Sequence, residues 1–181
     1  GIVSANDPFG FDVREENSYK RVKPIFSKKP FTRSLKFYYY GWQKEGLGYV
    51  DKKYVRKGHD LIGDLKVYVS RAYGAGEDYP HQILNKPFLG DKNSVCTETY
   101  TLIGPFISKD EAENVISYIS TRFFRFMVLL LKNTQSASQK VYSLVPMQDF
   151  SESWTDENLY KKYKLTKEEI EFIESMIRPM K

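Results

Sequence analysis

Between Lys109 and Leu131 the apolar residues Ala112, Val115, Ile116, Ile119, Phe123, Met127 and Leu130 recur every three or four positions. That spacing sets them along one face of an α-helix. Ser108 and Glu111 have the spacing of a capping box, and Asp110, Glu111 and Glu113 suit the positive end of a helix dipole. The pattern predicts one long helix over 109–131. Its second half is apolar on nearly every side, so it must be buried, and the residues available to bury it are strands.

Those strands lie upstream. Leu65, Val67 and Val69 alternate with Lys66, Tyr68 and Ser70, the period of a pleated strand. Residues 35–40 are rich in aromatic side chains and residues 49–55 follow Gly41, Gly46 and Gly48, so both read as strands, as does 98–103. Beyond the long helix, 132–140 is a polar loop, 141–145 a short strand, and Trp154, Leu159, Tyr160 and Tyr163 a short helix capped by Thr155. A last helix opens at Thr166, with Glu169 completing a second capping box and Ile170, Ile173 and Ile177 as its apolar stripe, and ends at Pro179. Residues 1–34, punctuated by Pro8, Pro24 and Pro30, carry no clear period. The expected fold is α/β in the α+β sense: a twisted mixed or antiparallel sheet packed on one long helix, with a small helical segment after it. Residues 1–147 form the main domain and 148–181 an appendage.

Charge is distributed unevenly. Residues 1–70 carry 14 Lys and Arg against 8 Asp and Glu, whereas 148–181 carry 6 against 8. A basic amino-terminal half on a chain of net charge +5 suits a polyanionic partner. The single cysteine, Cys96, excludes an internal disulfide and fits a reducing cytoplasm; it reads as a small buried hydrophobe rather than a nucleophile. Two histidines and one cysteine cannot build a usual structural zinc site. Neither a signal peptide nor a membrane span is expected, since the longest apolar run, 126–131, is far short of the ~20 residues a bilayer requires.

No catalytic set is recognisable. Asn6-Asp7-Pro8-Phe9 has the outline of an amino-methyltransferase motif but lacks its second proline, and it reads as a turn. Gly74-Ala75-Gly76 is neither a dinucleotide fingerprint nor a P-loop; it is a tight turn or a place of close ligand approach. Around it stand Arg71, Tyr73, Tyr79, His81 and Gln82, which bond neighbouring backbone or else contact phosphates and base edges. Lys132, Asn133, Gln135, Ser138 and Lys140 form a second polar group, and Lys52, Lys53, Arg56 and Lys57 a basic one. For Arg122 and Arg125, on the long helix, the expected roles are snorkelling or an internal ion pair.

Several separated motifs, in order, carry a resemblance. Ala72-Tyr-Gly-Ala-Gly76, Pro80-His-Gln-Ile83, Cys96-Thr-Glu-Thr-Tyr100, Lys132-Asn-Thr-Gln135, Val145-Pro-Met-Gln-Asp-Phe150 and Trp154-Thr-Asp-Glu157 resemble the carboxy-terminal region of type II restriction–modification methylases of the adenine type, which fuse methyltransferase and recognition functions. The similarity spans roughly 65–181, with Pro8-Phe-Gly10 where such target-recognition regions tend to begin.

This resemblance implies a target-recognition domain for double-stranded DNA, joined to a methyltransferase domain of the same polypeptide. That partner domain would hold S-adenosylmethionine, with magnesium where a nuclease is attached; this chain would hold no cofactor. Lys52, Lys53, Arg56, Lys57, Arg71, Tyr73, Gly74, Gly76, His81, Gln82, Lys132, Asn133, Gln135 and Lys140 are the expected DNA-binding residues. Members of such families read different sequences, so motif-matching residues are expected as scaffold or phosphate contacts, with specificity in about 12–60 and the loop tips. Two other readings stay open from the residues: a small nuclease built on Glu77, Asp78 and Lys86, and a protein-interaction module with an incidental basic surface.

Overall fold

The computed structural model describes residues 1–11, 25–73 and 78–180. Among these, the strands are β1 (Phe26–Ser27), β2 (Ser34–Tyr38), β3 (Gly48–Asp51), β4 (Leu65–Ser70), β5 (Phe88–Gly90), β6 (Ser94–Cys96) and β7 (Tyr100–Phe106). The helices are α1 (Trp42–Glu45), α2 (Lys109–Ser120), α3 (Arg122–Leu129), α4 (Asp156–Lys162) and α5 (Lys167–Met176). The fold is α+β. Its strands form two sheets rather than one: a mixed sheet of order β1-β3-β2-β6, in which β2 and β6 run parallel, and an antiparallel sheet of order β5-β4-β7.

Strand β4 explains how the layers are held. Its alternation does not divide core from solvent, because both faces are buried. Val67 and Val69 pack with the helices, in a cluster that includes Val115, Ile119, Phe124 and Val128. Tyr68 turns the other way, into an aromatic cluster with Phe37, Tyr38, Val95 and Leu102 beside the mixed sheet. The antiparallel sheet is thus the middle layer of the molecule. Its backbone comes unusually close to side chains at Gly90, where a Cβ would lie 2.4 Å from the Tyr68 ring. The segment 148–180 adds Trp154, Leu159, Tyr160, Ile173 and Ile177 to the helical cluster.

The expected long helix is broken at Thr121. Its ψ of 153° is extended, and α3 restarts with the Thr121 hydroxyl accepting from the Phe124 N–H at 3.1 Å. The Asp156 carboxylate, from the start of α4, accepts from the N–H groups of Arg122 and Phe123 at 3.1 and 2.9 Å. The Ser120 carbonyl, freed by the break, is taken by Arg125 Nη2 at 3.1 Å. Nε donates at 3.1 Å to the Thr121 carbonyl, which also accepts from the Arg125 N–H at 3.4 Å. The apolar spacing continues through the break, so periodicity could not reveal it. Arg125 does not snorkel: it is fully buried, and Nη1 reaches the carbonyls of Gln82 and Arg178. Arg122 makes the internal ion pair, 2.7 Å from Glu174.

Other elements differ in smaller ways. The strand expected over 49–55 stops at Asp51, whose carboxylate caps a 3₁₀ turn over Lys52–Tyr54. Residues 139–142 form a 3₁₀ turn where a strand was expected over 141–145. Thr166 and Glu169 make the full reciprocal capping box. At α2 the Ser108 half is present, but Glu111 reaches back one residue further, to the Ile107 N–H at 2.8 Å. Cys96 is buried, as expected. None of the described helices is long and apolar enough to cross a membrane.

Candidate nucleic-acid interface

Two polar stretches far apart in the chain meet at the end of β4. The Arg71 carbonyl accepts from the Ala137 N–H at 2.7 Å, Ala72 bridges Ser136, and the Tyr73 N–H donates to the Gln135 carbonyl at 3.1 Å. Lys132 completes the seam, its ammonium donating to the Tyr73 carbonyl at 2.9 Å. These bonds pair 71–73 with 135–137 like a short extra ladder. They bring the two groups of candidate residues together on one face.

The carboxy-terminal segment holds the other side. The His81 N–H donates to the Met176 carbonyl at 2.8 Å, and its own carbonyl accepts from the Arg178 N–H at 2.9 Å. The Arg178 guanidinium also donates to the Tyr73 hydroxyl at 2.9 Å. Between these supports lies an open depression of about 320 Å³, lined by the polar residues His81, Lys132, Asn133, Thr134 and Gln135 and by apolar Ile83 and Leu129. Asn133, Thr134 and Gln135 are exposed. Tyr79, 61% exposed, stands edge-on to the His81 ring.

Some candidate residues have structural work of their own. Arg71 donates to the Glu98 carbonyl at 3.2 Å and to the Ser136 hydroxyl at 3.4 Å, clamping the seam. Its positive charge opposes the upward push that burial gives the Tyr142 phenol. The Gln82 amide bonds the nearby Leu84 carbonyl at 3.1 Å, and its backbone carbonyl receives Arg125. Gln82 therefore supports the face from beneath and does not line the depression. Lys140 is exposed on the 3₁₀ turn 139–142 and also lies outside the lining.

The basic group sits elsewhere, beyond β3 of the mixed sheet. Lys52, Lys53, Arg56 and Lys57 are all exposed. Their anchoring is slight: Lys57 lies 3.6 Å from the Asp7 carboxylate, and Lys53 lies 3.9 Å from Asp51 with its ammonium over the Tyr54 ring. An exposed pair such as Lys53 with Asp51 is worth ~1 kcal/mol or less. Lys57 leans on a buried carboxylate, so the charges of Lys52, Lys53 and Arg56 are the ones that stay available to an outside partner. Gly74 and Gly76, and Glu77 with them, lie outside the described residues. Part of the span expected to hold specificity, 12–24, does as well.

Two contributors had no signal in the sequence. Arg178 shapes the face from the far end of the chain, although its position after α5 reads only as a helix terminus. Ser136 enters through the ladder with 71–73, which no periodicity announces. Chemically, the face offers amide, imidazole, hydroxyl and ammonium groups on a rigid backbone seam. Among the described residues, no three His, Cys, Asp or Glu side chains are grouped to hold a metal ion. Comparison of the chain with family models, curated proteins and solved structures found no match.

Proposed function

We propose that this chain recognises double-stranded DNA, as the target-recognition part of a restriction–modification DNA methyltransferase whose catalytic domain belongs to the same polypeptide. The observation that supports it is the convergence of His81, Lys132, Asn133 and Gln135 on one depression, with Arg71 and Tyr73 fixing its edge. Asn133 and Gln135 lie in a motif-matching stretch expected as scaffold or phosphate contacts, but both are exposed. Amide side chains that pair bidentately with adenine edges discriminate bases by ~1–3 kcal/mol each. Lys52, Lys53, Arg56 and Lys57 supply sequence-independent attraction to phosphates.

In this reading the chain performs no chemistry of its own. S-adenosylmethionine, and magnesium where a nuclease is attached, belong to the partner domain, and the assembled enzyme works in the cytoplasm. The recognition part grips duplex on one side of the target base while the catalytic domain extrudes that base, which costs a few kcal/mol. Grip from both parts offsets that cost.

Titration of the chain against random duplex DNA at low and moderate salt tests the proposal. Affinity should fall steeply with salt, and selection from a random pool should then yield one preferred sequence, with the DNA left intact. Replacing Asn133 and Gln135 by alanine should relax that preference while retaining the salt dependence. No binding at low salt, or binding without any sequence preference, would refute it.

A further inference from the structure

A second, larger groove lies around α1 and shares no lining residue with the depression. Its volume is about 650 Å³, within the range of small-molecule sites. Three aromatic side chains line it: Tyr40, Phe88 and Tyr100. Phe88 meets Tyr100 edge-on at 5.5 Å and leans against Trp42 at 5.2 Å, so this wall is held in place by its neighbours. Burial pushes the Tyr100 phenol up to about 12, so it stays a neutral hydroxyl at physiological pH.

Tyr40 differs from the other two. It is 66% exposed at the rim, directly before Gly41, whose φ of 90° turns the chain sharply into α1. An aromatic ring left in water beside a walled groove has a free face for stacking. Lys44 and Lys86 stand exposed along the same groove, and Gln43 and Asn85 add amides. Glu45 is the lone acid of the lining, and its backbone carbonyl is occupied by the Lys28 ammonium at 2.8 Å. The groove also joins the recognition seam: Ser70 and Asn85 both donate to the Ala72 carbonyl, at 3.2 and 3.1 Å.

We infer that this groove takes a single unstacked nucleotide of DNA. Tyr40 stacks on the base against the wall of Phe88 and Tyr100, and Lys44 and Lys86 meet the flanking phosphates. The inference rests on the DNA reading above and deepens it. Stacking platforms flanked by cations bind single-stranded nucleic acid with little base preference, because every base has a π-face. A duplex distorted around a target base presents such a nucleotide. The shared anchor at Ala72 would then place the unstacked position next to the base-reading depression.

The test compares fully paired duplex with the same duplex carrying one bulged 5-iodouracil, using the 181-residue chain. The bulged duplex should bind about ten-fold tighter, the scale of one stacked base. Long-wavelength irradiation should crosslink the iodouracil to Tyr40. Tyr40→Ala should abolish the ten-fold preference and Tyr40→Phe should keep it, with paired-duplex affinity unchanged in both. Because Tyr40 is exposed, matching thermal unfolding of the variants excludes misfolding as the cause. Equal affinity for the two duplexes, or a crosslink mapping away from the groove, would overturn the groove assignment while leaving duplex recognition standing. Failure to bind either duplex would overturn both.

Discussion

The ammonium of Lys132 lies 2.9 Å from the carbonyl oxygen of Tyr73, closing a seam between the end of a strand and a loop that follows the helices. A lysine in a polar loop usually reads as a solvated charge. Here it is half-buried and holds two parts of a candidate interface in register. Lys132→Met should therefore lower stability by about 1–2 kcal/mol, the worth of a partly exposed charged hydrogen bond. Replacing Lys52 or Lys53 by methionine should leave stability within about 0.5 kcal/mol. Urea unfolding of the three variants separates these outcomes. Salt titrations with DNA should show the reverse emphasis, with the slope falling by about 0.9 for each phosphate that a substituted lysine no longer neutralises.

Among the described residues Arg125 is the largest fully buried side chain, and its guanidinium serves the carbonyls of Ser120, Thr121, Gln82 and Arg178. Arg125→Met keeps the bulk but removes the side-chain donor from all four carbonyls, of which Thr121 retains the Arg125 backbone N–H. The cost should exceed about 3 kcal/mol, since each buried polar group left unsatisfied costs roughly 1–3 kcal/mol. Arg125→Lys, with one compact donor head, should fall between wild type and Met. Equal stability of Met and wild type in chemical denaturation would contradict this account.

Asp156 caps a helix that is not its own. Its two carboxylate oxygens accept from the first N–H groups of α3 while the residue itself opens α4. Asp156→Ala should cost about 1–2 kcal/mol, as loss of a cap does. Asp156→Asn, which keeps one acceptor oxygen, should recover part of it. Amide exchange at Arg122 and Phe123 should rise more than exchange within β4 in the alanine variant.

Lys66 is buried, with its ammonium donating to the carbonyls of Leu61 and Ile62 at 2.6 and 3.1 Å. Burial pushes it down to about 8, against attraction from Cys96 and Asp64. In the unfolded chain a lysine titrates at about 10.4. Below pH 8 both states hold the proton, and the native state bears the desolvation. Between about pH 8 and 10.4 the unfolded chain binds more protons, so this contribution makes stability rise with pH, by up to ~3 kcal/mol. The Cys96 thiol and Tyr68 phenol, pushed up by burial, act in the opposite sense once they ionise only in the unfolded chain. The comparison with Lys66→Met isolates the lysine. The stability of wild type relative to that variant should increase between about pH 8 and pH 10 in urea titrations, and a flat difference would refute it.

Gly90 sits where β5 crosses the Tyr68 ring, so Gly90→Ala brings a methyl group into a space already filled. The middle sheet should lose about 1–3 kcal/mol through overpacking. Gly41→Ala meets no neighbouring atom, so only its positive φ is strained and the loss should be smaller, about 1 kcal/mol. Thermal unfolding of the pair orders the two effects.

Elements whose signals are local were legible from the residue order alone. Period-two alternation marks β4, a Ser or Thr with Glu three residues on marks the starts of α2 and α5, and a lone Cys96 between Val95 and Thr97 at a strand entrance marks its burial. Most residues of the candidate face could also be named, because imidazole, amide and cationic side chains crowd two polar stretches. That these stretches make one surface emerges with the folded chain, since backbone hydrogen bonds between 71–73 and 135–137 leave no trace in side-chain chemistry. So does the break at Thr121. There the capping of α3 by Asp156 and the filling of the freed Ser120 carbonyl by Arg125 outweigh helix continuation, and both partners are brought by packing rather than by neighbouring sequence.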